Sequence, residues 1–346
     1  MKDFRLSFIV TLLCLAGAGY WGAQSGQGIL AAITLTLILG IMEVSLSFDN
    51  AVVNAGVLKD MEEKWQQIFL TVGILVAVFG MRLLFPLVIV AIATGLGLGD
   101  VATMALQRPD EYALHLHDSH VGIAAFGGMF LLLVFFSFLF DEGKELHWLG
   151  KMEEQLAKLG KLDSIGVMIA LLLLFVLQYL FHLDAMARLT MLIAGVGGII
   201  LYIAVSSIDS LFESEEDGDA AVAAAKRNGV AGFLYLEVLD ASFSFDGVIG
   251  AFAITRDVVI IMLGLAIGAM FVRSLTVHLV RKGTLDEYVF LEHGAHYAIG
   301  ALAGIMLIGI VYEVHEVITG LIGVGFILLA LVSSIRYRAK EMAKED

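Results

Sequence analysis

Long apolar runs dominate this chain and leave little choice of fold. Ten of them lie at roughly 6–23, 28–57, 67–95, 119–139, 164–181, 187–206, 230–254, 257–280, 288–311 and 316–335. Each is long enough to cross a bilayer as a helix. In hydrocarbon every backbone polar group must be paired internally, which permits helices or closed barrels. A barrel needs alternating apolar and polar residues, and that alternation is absent here. Only 16% of residues are charged and the mean hydropathy is +0.90, whereas an ordinary soluble domain is about 25% charged. An all-α, polytopic integral membrane protein of about ten spans is expected. Cys14 is the single cysteine, so an intrachain disulfide framework and a cysteine-rich metal site are excluded.

The first run follows Lys2 and Arg5, and Ala16-Gly17-Ala18 resembles a signal-peptide cleavage site. An internal repeat, described below, argues that this run is instead a retained span. With ten spans, sixteen of the 21 Lys and Arg fall on the side of the N-terminus and three (Arg108, Arg188, Arg256) on the other. Arg82 and Arg273 lie within spans. By the positive-inside rule both termini are cytoplasmic, which suits a multi-pass protein of a bacterial inner membrane. The formal net charge of −14 therefore misleads as a total, because the charges are sorted by side. The acidic loop within 207–229 reads as a solvated cytoplasmic linker.

The chain repeats itself. Asp110-Glu111-Tyr112, His117, His120, Ile123, Ala125, Gly128 and Leu131 match Asp286-Glu287-Tyr288, His293, His296, Ile299, Ala301, Gly304 and Leu307 at one constant offset. Arg82 and Leu84 pair more weakly with Arg273 and Leu275. Two repeats of five spans are expected, 1–181 and 182–346. An odd number of spans inverts the second repeat relative to the first. Inverted repeats are a recurring build of secondary transporters, with substrate bound near midplane where the repeats meet.

The costliest residues are duplicated too. Glu43-Val44-Ser45-Leu46-Ser47-Phe48-Asp49-Asn50 in span two has a counterpart, Asp240-Ala241-Ser242-Phe243-Ser244-Phe245-Asp246-Gly247, in span seven. Both read acid-x-Ser-x-Ser-Phe-Asp-(Asn/Gly). An intramembrane ionisable residue is a functional-site hypothesis by default. Glu43, Asp49, Asn50, Glu237, Asp240 and Asp246 are candidate metal ligands, with Ser45, Ser47, Ser242 and Ser244 as supporting hydroxyls. All of these donors are oxygen, the preference of hard cations such as Mn²⁺, Mg²⁺ and Ca²⁺. Within each motif the two acids are six residues apart, about 120° around an unbroken helix. A break near Phe48–Asn50 and another near Phe245–Gly247 would let them converge. Crowded carboxylates hold protons when no metal is present, a chemical route to proton–metal exchange. Arg82 and Arg273 are either counter-ions for the empty site or structural ion pairs. His117 and His120 at one mouth, and Glu292, His293 and His296 at the other, are candidate gate or proton-relay residues. His115 and the amphipathic stretch Leu146–Leu162 carry no sharper reading than loop and surface helix.

These motifs resemble those of the TerC family of bacterial membrane proteins, named for tellurium resistance. Residues 43–50 resemble its first motif, acid-x-x-Leu-Ser-x-Asp-Asn. Glu237-Val-Leu-Asp240-Ala-Ser-Phe243-Ser244-Phe-Asp246-Gly247 resembles its second, Glu-x-x-Asp-x-x-Phe-small-x-Asp-Ser. Arg82 and Arg273 resemble arginines of the helix after each motif. The resemblance covers about 30–90 and 230–280, and the His-rich ends look like a longer branch. It implies a fold related to the LysE exporter superfamily and a role in divalent metal efflux, chiefly of Mn²⁺. Gly247 departs from the family's serine, which puts ion selectivity in doubt.

The expected function is secondary export of a divalent cation, Mn²⁺ first and Ca²⁺ or Mg²⁺ next, in exchange for protons. The rival is a non-transporting scaffold or metal-delivery partner in metal or tellurite stress, docking through the acidic loop. No enzyme is expected, since no nucleophile sits beside a base. Expected partners are membrane lipids, divalent cations and protons, with a second copy or stress-response proteins as candidates and no nucleic acid.

Overall fold

The computed structural model describes residues 3–59, 61–162, 164–211, 220–312 and 314–345. Residues 212–219 of the acidic loop lie outside the described residues, as do the side chains of Asp246 and Asp286. Among the described residues there is no strand. The helices are α1 (Arg5–Gln24), α2 (Ile29–Leu46), α3 (Phe48–Lys59) and α4 (Glu63–Leu75). A π-helix, Val76–Leu84, leads into α5 (Phe85–Thr94), followed by α6 (Leu98–Gln107), α7 (Pro109–Asp118) and α8 (His120–Leu139). Then come α9 (Lys151–Ala157) with a 3-10 turn at Lys158–Lys161, α10 (Ile165–Leu180), α11 (Ala185–Leu211) and α12 (Ala220–Ile254). The chain ends with α13 (Val258–Lys282), α14 (Thr284–Glu287), α15 (Leu291–Gly309) and α16 (Glu316–Glu345).

Seven of these are long and apolar enough to cross a membrane, and two bent pairs bring the number to nine. The seven are α1, α2, α8, α11, α13, α15 and α16. The long α12 is not among them; its apolar half carries Glu237, Asp240 and Asp246.

The two expected helix breaks came out differently. In the first motif the helix is interrupted at Ser47, whose φ of −104° and ψ of 19° separate α2 from α3. The interruption is a kink rather than an unwinding. Ser47 N–H still donates to Glu43 O at 3.0 Å, and Ala51 N–H to Ser47 O at 3.3 Å. In the second motif no break exists: α12 runs straight through Phe245–Gly247. One glycine costs a helix about 1 kcal/mol relative to alanine, too little to interrupt a helix of 35 residues. An unforeseen irregularity lies in span three instead. The segments Glu63–Gly73 and Val76–Ile92 meet at 42° around the π-helix.

The chain forms two compact units: Met1–His120 with Gly218–Gly283, and Val121–Asp217 with Thr284–Asp346. Each unit draws on both sequence halves, 1–181 and 182–346.

In the first unit α13 is the central element. Asp257 caps it, accepting from the N–H groups of Val259 and Ile260 at 3.0 and 3.2 Å, and Gly283 closes it at φ 62°, the left-handed position that favours glycine. Gly264 and Gly268 lie one turn apart and let α2 come close, the small-residue contact by which membrane helices pack. A Cβ on Gly264 would stand 2.5 Å from Leu39 Cβ. α1 lies against α13 through Ser7, which donates to Met270 O at 2.8 Å and bonds Ser274 Oγ at 2.6 Å. Trp21 Nε1 donates to Asp257 Oδ2 at 2.7 Å.

In the second unit α15 packs on α16, with Gly294 against Ala330 and the Phe326 carbonyl. Phe290 N–H donates to Ser334 Oγ at 2.9 Å.

Candidate functional site

Both acidic motifs lie in the first unit, and the structure seats each acid–arginine pair on glycine. Glu43, 1% exposed, sits in the last turn of α2 and is ion-paired with Arg82. Ser47 Oγ donates to Glu43 Oε1 at 3.1 Å. Arg82 also donates to Ala77 O at 2.7 Å, five residues back within the π-helix, so the widened turn fits a guanidinium onto its carbonyl. Glu43 fills a slot with two glycine walls. A Cβ on Gly247 would stand 2.5 Å from Glu43 Oε2, and one on Gly268 would overlap Glu43 Cβ and Cγ. At 247 the neighbour is the carboxylate end of the Glu43 side chain, so a larger residue there would have to displace that carboxylate.

In the second motif Arg273 is spread over several partners. It donates to Gly73 O at 2.7 Å and lies 3.7 Å from the Phe69 ring centroid. It stands 3.4 Å from Asp240 Oδ2 and 3.8 Å from Glu237 Oε1. Neither oxygen of Glu237, itself 6% exposed, accepts a hydrogen bond. Gly73 packs against both partners, its would-be Cβ 2.7 Å from Glu237 Oε1 and 3.1 Å from Arg273 Nη2.

Asp49 and Asn50 are buried in the first turn of α3. Asp49 Oδ1 accepts the Asn50 N–H at 2.9 Å, and the start of a helix favours a carboxylate. Asn50 Oδ1 receives no donor. Asn54, one turn further on the same face, went unnoticed in the sequence. Its Nδ2 donates to Asp240 Oδ1 at 2.8 Å, tying the first motif's helix to the second motif's acid. The available signal was a fourth amide-bearing or acidic residue in the apolar run 28–57, spaced four from Asn50.

The other candidates are distributed unevenly. Ser45 faces outward and donates to Ile41 O at 2.9 Å, away from the acids. Ser242 donates to Val238 O at 3.0 Å. Ser244 is buried with no partner for its hydroxyl. The Asp246 side chain lies outside the described residues. Among the described residues no three His, Cys, Asp or Glu side chains gather into a group that could hold a metal. The acids are held instead in separate places: with Arg82, at the head of α3, and beside Arg273.

The histidine segments differ as well. His117 lies in the last turn of α7 and His120 opens α8, with rings stacked 6.3 Å apart. His293 and His296 share α15 with Glu292. There the connector 141–162 is more than a surface strand of chain. Glu153 of α9, 0% exposed, receives Lys144 Nζ at 2.9 Å and the Leu149 N–H at 3.0 Å. His293 Nε2 stands 3.0 Å from Leu146 O and 3.6 Å from Glu153 Oε1. Phe138 stacks on His296 at 4.1 Å and carries Lys144 at 4.1 Å from its centroid. Burial disfavours the Glu153 anion, but the Leu149 N–H and the Lys144 ammonium outweigh it and hold the carboxyl below its usual range.

No curated protein and no solved structure matches this chain. A family described as protein of unknown function, DUF475, matches residues 48–341. That stretch includes the second motif, Asp49 and Asn50, both intramembrane arginines and both histidine segments, but not Glu43–Ser47. Covering well over half of the sequence, the match makes the chain a member of the DUF475 family, whose function is unknown.

Proposed function

We propose that this protein is a secondary transporter that exports a divalent cation, Mn²⁺ first, from the cytoplasm of a bacterium in exchange for protons. The observation that carries this reading is a set of buried oxygens without donors: both carboxylate oxygens of Glu237 and the amide oxygens of Asn50 and Asn54. A buried acceptor left unmade costs about 1–3 kcal/mol, more if charged, and a hard cation removes that cost by accepting oxygen ligands. The charge balance agrees. The two motifs and the arginines of the following spans carry five carboxylates (Glu43, Asp49, Glu237, Asp240, Asp246) and two guanidiniums. The excess of three negative charges in an apolar span calls for cations or protons.

In this reading the cargo is held by Asp49, Asn50, Glu237 and Asp240, with Glu43 and Asp246 completing the acidic set. Arg82 and Arg273 are counter-ions that engage the acids when the cargo leaves. The TerC resemblance, ten spans in two inverted repeats and cytoplasmic termini belong to the same proposal. The sorting of Lys and Arg by side supports the orientation.

Transport by purified protein in liposomes tests it, with a Mn²⁺-quenched dye and a pH dye inside. Wild type is expected to move Mn²⁺ with an opposing proton flux, and Asp49→Asn and Glu237→Gln to lower Mn²⁺ flux at least tenfold. Wild-type flux in both variants removes the site, and no flux in wild type removes the function.

A further inference from the structure

We propose that Asn54, whose amide bonds Asp240, is a ligand of the transported cation. This rests on the exporter reading above and adds a neutral ligand from outside both acidic motifs. Asn54 lies on α3 and is 2% exposed. Its Nδ2 donates to Asp240 Oδ1 at 2.8 Å, and its Oδ1 receives no donor. The amide nitrogen is the donor in this bond and Asp240 Oδ1 the acceptor. The carbonyl oxygen is then turned to the other branch of the same amide, next to the carboxylate it helps hold. Asp240 is fixed from both sides, Oδ1 by Asn54 and Oδ2 by Arg273 at 3.4 Å. Asn50, four residues earlier and on the same helical face, has a second buried amide oxygen without a donor. Helix α3 thus carries two buried neutral carbonyl oxygens without donors among the described residues, one of them on the amide that bonds an acid of the other motif. Amide oxygens are ordinary ligands of hard divalent cations. Membrane helices also use such amides merely to bond one helix to another, so the test must separate the two roles.

Two substitutions do so, because both remove the amide donor to Asp240 and only one keeps an oxygen where Oδ1 stands. Mn²⁺ binding to the purified full-length protein is titrated by the electron paramagnetic resonance signal of the free ion. Thermal unfolding serves as the folding control. The expected result is that Asn54→Leu weakens Mn²⁺ binding at least tenfold, while Asn54→Asp stays within about threefold of wild type. Equal weakening by both overturns the ligand role, leaving a helix-to-helix bond; unchanged binding in both overturns the inference altogether. Should Asn54→Leu not fold, Asn54→Ala takes its place with the same expectation. Glu237→Gln separates this inference from the reading beneath it. If Glu237→Gln abolishes binding while the Asn54 variants bind as wild type, the exporter reading stands and the inference falls. If wild type binds no Mn²⁺, both fall.

Discussion

The two acidic motifs share a residue order and differ in almost everything the fold makes of it. The first is cut at Ser47, and its Glu43 is locked by Arg82, Ser47 and the glycine slot. The second lies in unbroken α12, and its Glu237 is left without a donor beside an arginine divided among a carbonyl, a ring and two acids. One motif is closed and the other open. The difference comes from the partners each motif meets. Gly247, which as a local signal pointed to a break, lies within continuous α12 and faces the Glu43 carboxylate. A duplicated sequence therefore need not produce duplicated geometry.

The comparison breaks first, if it is wrong, at the arginines. Arg82→Met strands Glu43 in the interior, and losing one partner of a buried pair costs about 3–5 kcal/mol. Arg273→Met is expected to cost about 1–3 kcal/mol, because Asp240 keeps Asn54 as a donor. Unfolding in mixed micelles measures both, and equal losses would remove the distinction between closed and open motifs. Gly268→Ala comes next. Its Cβ would overlap the Glu43 side chain, and overpacking of this kind costs about 1–3 kcal/mol. Gly304→Ala is the matched control, since among the described residues nothing stands within 4 Å of its would-be Cβ; with the gain in helix propensity of about 1 kcal/mol its melting temperature should not fall below the wild-type value.

The serines sharpen the contrast at smaller scale. Ser47 and Ser244 are equivalent in the motif, yet only Ser47 hydrogen-bonds an acid. Ser47→Ala should cost about 1 kcal/mol and Ser244→Ala nothing. Equal costs in thermal melts would mean that the two motifs are held alike after all.

A test by pH lies outside both motifs, at Glu153. Its carboxyl is held below the usual range in the folded protein, so its contribution is complete above the unfolded value of about 4.3. That contribution is lost as pH falls through the lowered folded value. Glu153→Gln should flatten the acid limb of a melting-temperature profile between pH 3 and 6. An unchanged limb would show that the connector 141–162 is not held by this carboxylate.

Much of this was legible in advance because the bilayer imposes a simple rule. Apolar length located the helices, and the charges that interrupt apolar runs singled out Glu43, Asp49, Glu237, Asp240, Arg82 and Arg273 as residues needing partners. Pairing of acids with the two arginines follows from that cost. Three features were not legible. The unbroken course of α12 through Gly247 was one: a lone glycine does not say whether a helix ends, and its neighbour Glu43 is 204 positions away. The π-helix depended on how Arg82 reaches both Ala77 O and Glu43. Glu153 looked like a surface charge because seven residues of amphipathic helix do not reveal that one acid is turned inward onto Lys144 and His293.

The sequence by itself determined that this is a helical membrane protein with two acidic motifs and two buried arginines, since the energetic cost of charge in hydrocarbon admits few alternatives. Only the tertiary structure decided that the motifs are unequal and that Asn54 joins α3 to Asp240. It also decided that a glycine in one motif makes room for the acid of the other. Those outcomes rest on contacts of a few ångströms between helices far apart in the chain, which no local pattern encodes.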